Sequence, residues 1–220
     1  MNYMYPVGVL LAFLVWLIFY FIQNKKNGCG KQMLFFSLLI APHGPISQFW
    51  YLRDYWSLQT LNLPVYARLI LDFTFAFSIA GLGAVSLNTL MGIKWNLNPN
   101  PKIIRIIGLY LFFLISVLLI VDFLKINSIV ASYIMFLTSG FYFAVKGKIV
   151  WLTILNASYF SAVLFLSYSL FEIIFPGAIK TLNLLVNTNF YILFVPISEI
   201  LWYFCAAFYL YGFFKYLFSD

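Results

Sequence analysis

"LILDFTFAFSIAGLGAV", Leu69 to Val85, is the stretch on which the fold turns. It holds one charged residue, Asp72, and widening the window to 65–90 adds only Arg68. About 20 apolar residues in succession suffice for a helix to cross a bilayer. Hydrocarbon offers no partner to a free N–H or C=O, so such a stretch must be helical at membrane depth. The same pattern recurs on either side, at 4–22, 33–51, 104–124, 126–145, 149–174 and 190–217. These segments take up nearly all of the 220 residues and leave no room for a separate soluble domain. Composition agrees: 64% of the chain is hydrophobic and 9% charged, where soluble domains carry roughly 25% charged residues. The sequence predicts an all-α polytopic membrane protein with seven transmembrane helices.

No basic residue precedes the first apolar segment, and no small-residue cleavage site follows it. The segment 4–22 therefore reads as a retained helix rather than a signal peptide. Cys29 and Cys205 make no disulfide framework, His43 is the only histidine, and no metal-ligand spacing occurs. The net charge of +7 belongs to loop lysines and arginines, not to a nucleic-acid surface. Lys25, Lys26, Lys31, Lys94, Lys102, Arg105, Lys146, Lys148 and Lys215 fall on one side of the predicted spans. Arg53, Arg68, Lys125 and Lys180 fall on the other. Basic residues collect on the cytoplasmic side. The asymmetry thus predicts an outside N-terminus and a cytoplasmic C-terminus; the expected location is the cytoplasmic membrane of a prokaryote. The expected partners are the lipid bilayer and a hydrophobic small molecule; homo-oligomerisation is left open.

Of the six acids, Asp220 is the final residue. The topology puts the other five, Asp54, Asp72, Asp122, Glu172 and Glu199, in the outer half of the membrane or at its rim. Acids in membrane helices are costly and usually face a bundle interior or cavity. Ala76, Ala80 and Gly83 follow Asp72 at spacings of four and three. That small face is expected to pack on a neighbouring helix and to turn Asp72 inward.

"PIS" occurs at Pro45 and at Pro196, each followed by an aromatic pair. In this reading Pro45 ends an outgoing helix, whereas Pro196 opens or kinks an incoming one, so the match is not the repeat. A better register aligns the basic turns "KKNGCGK" (25–31) and "KGK" (146–148), and then Asp72 with Glu199. The second copy has an insertion, "PGAIKTLNLLVNTN" against "SLQTLNLPVYA". The expected domain, 1–220, thus comprises repeat one (about 1–92), a linker helix (about 103–125) and repeat two (about 126–220). One linker helix gives both triplets the same orientation, as in parallel repeats.

The repeated acid near the start of a third helix carries a family resemblance. Pro196-Ile197-Ser198-Glu199 in the second unit, and Asp72 at the matching place in the first, resemble the Pro-x-Glu-Glu element of the lycopene cyclase domain family. "YLRDYW" (51–56) and "YSLFEIIFPGAIKTL" (168–182) are similar to its uncharacterised branch. The first acid of each pair is replaced here, by Ser198 and by Leu71. The resemblance implies an intramolecular lyase that needs no redox cofactor for net turnover. A general acid protonates a terminal double bond of a linear carotenoid, a nearby double bond attacks the tertiary cation, and loss of a proton completes the ring. It implies Glu199 and Asp72 as the catalytic pair. Glu172, Asp54, Arg68, His43, Trp202 and Tyr203 are expected to line the substrate site. Such an acid must be neutral before it acts, which burial and a second nearby carboxylate both favour. Aromatic faces stabilise the cation without trapping it, by about 2 kcal/mol or more when desolvated.

Two local questions stay open at this level. Arg68 lies one turn before Asp72, so the two can pair. Helix 7 either starts at Pro196, with Glu199 in its first turn, or starts near Phe190 and kinks. Two other functions fit the same residues: a non-enzymatic lipid- or pigment-binding membrane protein, and a small-solute transporter of three-one-three architecture, for which the nearest helix break lies between Pro42 and Pro45.

Overall fold

The computed structural model describes residues 4–55, 63–95, 97–98, 101–177 and 190–219. It is helical apart from one two-residue strand pair. Helix α1 spans Met4–Ile22 and runs into a π-helical turn, Gln23–Asn27. Then follow α2 (Gly30–Ile40), α3 (His43–Asp54), α4 (Val65–Met91), α5 (Ile103–Val117), α6 (Ser128–Lys146), α7 (Val150–Ile174) and α8 (Ile197–Phe218). Helix α5 continues into a second π-helical turn, Leu118–Phe123. Among the described residues, six helices are long and apolar enough to cross a membrane. The chain alternates between two ends. At one, Tyr5 meets Asp72, Asp54 meets Ser128, and Tyr55 meets Glu199. At the other, Gln23 meets Thr89 and Arg105 meets Ser219. We call these the carboxylate end and the lysine end.

Residues 33–51, expected as one helix, lie in two. Pro42 and Pro45 lack N–H groups, so the ladder fails there. It re-forms with Gly44 N bonded to Ala41 O (3.1 Å) and Ile46 N to Pro42 O (3.2 Å). Pro45 therefore sits in the first turn of α3 rather than ending an outgoing helix; there its missing donor costs nothing. The carbonyls freed at the break are filled from within. The Tyr110 hydroxyl donates to Leu39 O, and His43 Nδ1 lies 3.2 Å from Ile40 O. The break docks on α4, where a Cβ on Gly44 would run into the Asp72 carbonyl and come within 2.8 Å of Ala76 Cβ.

The segment expected as helix 190–217 is also divided. Tyr191–Ile192 (β1) pairs antiparallel with Val195–Pro196 (β2), and α8 starts only at Ile197. Pro196 holds ψ 137°, outside the helical region, so Glu199 occupies the first turn of α8. Trp56, Lys180, Asp220 and most of the two stretches compared as an insertion lie outside the described residues.

Helices α4 and α8 form the centre. The first packs on α1, α2, α3 and α7, the second on α6 and α7, and the two pack on each other. Every residue of α4 from Phe77 to Asn88 is buried, as is every residue of α8 from Cys205 to Phe214. Small residues allow that closeness. A Cβ on Gly140 would lie 2.9 Å from Tyr209 Cα, and one on Gly83 would lie 2.8 Å from Leu210 Cδ1. Ala80 is 1% exposed, so the small face predicted after Asp72 does pack between helices. Asn156 of α7 then pins the seam. Its Nδ2 donates to Gly83 O (2.8 Å), and its Oδ1 accepts from Leu87 N (3.2 Å) and Ser86 Oγ (3.0 Å). Gly83 and Leu87 are one helical rung apart, so a single carboxamide straddles α4's own ladder. At the lysine end Arg105 donates to Tyr216 O and Ser219 O (2.5 and 2.6 Å), filling carbonyls that the end of α8 leaves free.

Candidate functional site

Glu199 and Asp72 stand at the carboxylate end of the two central helices, where α8 begins and where α4 is two turns old. Asp72 is 3% exposed. Its Oδ1 accepts from the Tyr5 hydroxyl at 2.5 Å. Arg68, one turn earlier, lies within electrostatic reach but forms no ion pair with it, and its Nε is buried without a partner. The pairing anticipated for Arg68 and Asp72 is therefore replaced by a tyrosine brought in by α1. Asp72 points into the bundle.

Glu199 is partly buried, and its Oε1 accepts from the Tyr55 hydroxyl at the end of α3. Four more tyrosines surround this pair. Tyr133 of α6 donates to Ser198 O at 2.8 Å. Tyr168 of α7 and Tyr203 of α8 share a hydroxyl–hydroxyl bond of 2.7 Å. Tyr51 of α3 bonds Ser132 Oγ at 2.6 Å and accepts from Trp202 Nε1 at 3.1 Å. All four hydroxyls lie in Glu199's electrostatic field. The carboxyl group thus sits in a ring of phenols drawn from α3, α6, α7 and α8. A phenol donates a hydrogen bond yet keeps its proton in an apolar site, so the ring is polar without adding charge.

The two carboxyl groups do not bond each other; each accepts from its own tyrosine, Asp72 from Tyr5 and Glu199 from Tyr55. Trp202 and Tyr203 stand in this cluster, with Trp202 edge-on to Phe136 at 6.0 Å. His43 stands apart at the helix break, stacked on Tyr110 at 5.0 Å.

The remaining acids at this end make contacts of their own. Both Asp54 oxygens accept from Ser128, the backbone N at 3.0 Å and Oγ at 2.5 Å, so Asp54 caps α6 from a neighbouring helix. Glu172 accepts from Gly177 N at 2.6 Å and holds the turn leaving α7. Asp122 pairs with Arg53 at 2.9 Å and accepts from Trp50 Nε1 at 3.1 Å. Sequence reasoning missed Tyr5, Tyr51, Tyr55, Tyr133 and Tyr168. With 16 tyrosines in the chain, no spacing marks these five as the ones that face a carboxyl group.

Compared with protein-family models, with curated proteins and with solved structures, the chain matches none.

Proposed function

We propose that the phenol-ringed Glu199 is the proton donor of a membrane-embedded acid site acting on an apolar isoprenoid, by the proton-initiated ring closure of a linear polyene that the lycopene cyclase domain resemblance implies. The observation that carries this reading is the pairing of Glu199 with Tyr55 among uncharged hydroxyls, at the same end of the bundle as a second buried carboxyl group, that of Asp72. Glu199 gives its proton to a terminal double bond. The ring faces of Trp202, Tyr203, Tyr51 and Phe136 lie against the developing cation, where they stabilise it without a nucleophile strong enough to trap it. Asp72 receives the proton released when the ring forms. A long polyene is too apolar to arrive through water, so it enters from the lipid between helices. The reading includes the parallel repeat: α1 to α4 form one unit around α4, α6 to α8 a second around α8, and α5 links them. It also places the lysine end in the cytoplasm. Supporting it are the central position of both third helices and their mutual packing.

Expression in lycopene-accumulating cells, followed by pigment chromatography, tests it. Wild type should yield a cyclised carotenoid, and Glu199→Gln should yield none while remaining in the membrane. A wild type that forms no ring from any linear carotenoid sinks the cyclase and leaves the binding-protein reading, which the exchange of an acid for Ser198 favours. Against a transporter stands the break between α2 and α3, whose carbonyls Tyr110 and His43 already occupy, while α7 runs unbroken.

A further inference from the structure

Among the described residues the acids Asp54, Asp72, Asp122, Glu172 and Glu199 all stand at the carboxylate end. The lysine end keeps its positive charge with none of these acids to answer it. There the turn at Gly28, the first turns of α2 and the end of α8 enclose a cavity of about 290 Å³, lined by Gly28, Lys31, Gln32, Phe35 and Phe218. Lys31 is exposed and makes no ion pair with a described residue. Beside it, the Gln32 side-chain oxygen is buried without a hydrogen-bond partner. A buried acceptor left unpaired is costly, so a cavity that holds one suits an occupant that donates. The cation on the same wall suits an anion. Further along α2 the wall turns apolar. Phe35, one turn after Lys31, is 39% exposed, and Leu38, nearly a turn beyond, is 51% exposed. Buried Phe218 closes the back, edge-on to Phe35 at 6.1 Å. Cation, acceptor and exposed apolar face thus follow one another from the helix end inward. A soluble anion would use the first two and leave the third idle; a lipid uses all three.

We propose that this cavity seats the headgroup of an anionic phospholipid that carries free hydroxyls, of the phosphatidylglycerol type. The phosphate lies on the Lys31 ammonium, which binds it as a point charge. A glycerol hydroxyl donates to Gln32 Oε1, and one acyl chain follows the face of Phe35 and Leu38. Basic pockets between membrane helices take anionic headgroups in this way. A choline headgroup brings neither a net charge for Lys31 nor a donor for Gln32. The site lies at the opposite end of the bundle from Glu199 and does not depend on the chemistry there.

The test is the melting temperature of the full chain in a mild detergent, titrated with short-chain lipids. Dioctanoyl phosphatidylglycerol should raise the Tm by about 5 °C near saturation, and dioctanoyl phosphatidylcholine should leave it nearly unmoved. Lys31→Gln should remove most of the rise. Lys94→Gln loses the same charge from a loop that does not line the cavity, and it should keep the rise. Gln32→Leu, which spares the cation and removes the acceptor, should weaken the apparent affinity about fivefold. Gln32→Glu sets a carboxylate beside the phosphate; it should abolish the rise, and it decides the matter if Lys31→Gln does not fold. Equal rises with both lipids, a rise that survives Lys31→Gln, or one lost equally in Lys94→Gln overturns the site. Glycerol 3-phosphate and inorganic phosphate, which carry the anion without a chain, should not move the Tm at the same concentrations. An equal rise from either makes the cavity a site for soluble phosphate and overturns the lipid. None of these readings involves ring formation, so the headgroup site and the acid site fail separately.

Discussion

At the lysine end of the bundle, α4 and α8 touch through glycine, alanine and ring faces, and every residue from Phe77 to Asn88 is buried. At the carboxylate end the same two helices keep partly exposed first turns and hold their neighbours through hydroxyls and carboxyl groups. The contrast separates two tasks along one pair of helices. One end is closed by volume, where a single added methyl group meets backbone. The other is closed by hydrogen bonds, which a ligand's own groups or a rotated ring can replace. Stability belongs to the first, and the proposed chemistry to the second.

The contrast breaks first at Gly140. A Cβ there would lie 2.7 Å from Phe208 Cδ1 and 2.9 Å from Tyr209 Cα, and backbone has nowhere to go. Gly140→Leu should cost about 3 kcal/mol or abolish folding, read as loss of the monodisperse peak in detergent. Asn156→Leu comes next. It leaves the Ser86 hydroxyl in a buried apolar seam and removes the link from α7 to α4, at about 1–3 kcal/mol, read as a lowered Tm. Gly83→Leu should cost less, about 1–2 kcal/mol, because the atom it meets is the far end of Leu210. Its Tm in detergent checks this, and an unchanged value would mean that the small face of α4 does not pack. Glu199→Gln and Tyr55→Phe should move Tm least among these, by under about 1 kcal/mol, while Glu199→Gln removes any acid chemistry. A large stability loss from either would join the two ends into one task. Arg53→Ala, breaking a pair whose side chains are 52% and 34% exposed, should leave the melt unchanged.

The helical spans and the common end of five acids were legible because both depend on one quantity, the cost of polarity in hydrocarbon. The break at Pro42 was not, since an average over apolar residues runs straight through "IAPHGPIS"; the local signal was two prolines three apart around a glycine. The start of α8 stayed open because both readings satisfy Pro196, and only its ψ decides. The phenol ring was the least legible part. Tyr133 and Tyr168 lie on helices with apolar residues on every side, so periodicity gives little contrast between a face toward lipid and a face toward Glu199, and Tyr55 stands just past the end of α3, where no helical period applies. Asp54 misled for the opposite reason: an acid at a helix end near the others resembles a site residue, and its work as a cap on α6 depends on a neighbour brought close only by the fold.

The helix that α6 and α7 both lean on comes after them in the chain, and the two touch each other little. During synthesis they enter the bilayer before their partner exists. Helices in a membrane can insert singly and associate later, so the Gly140 face must wait against lipid until α8 arrives. Order of insertion and order of packing therefore differ. A ribosome that stalls between α7 and α8 leaves every earlier span in the membrane, with the second half not yet folded and a small-residue groove open to whatever helix drifts by.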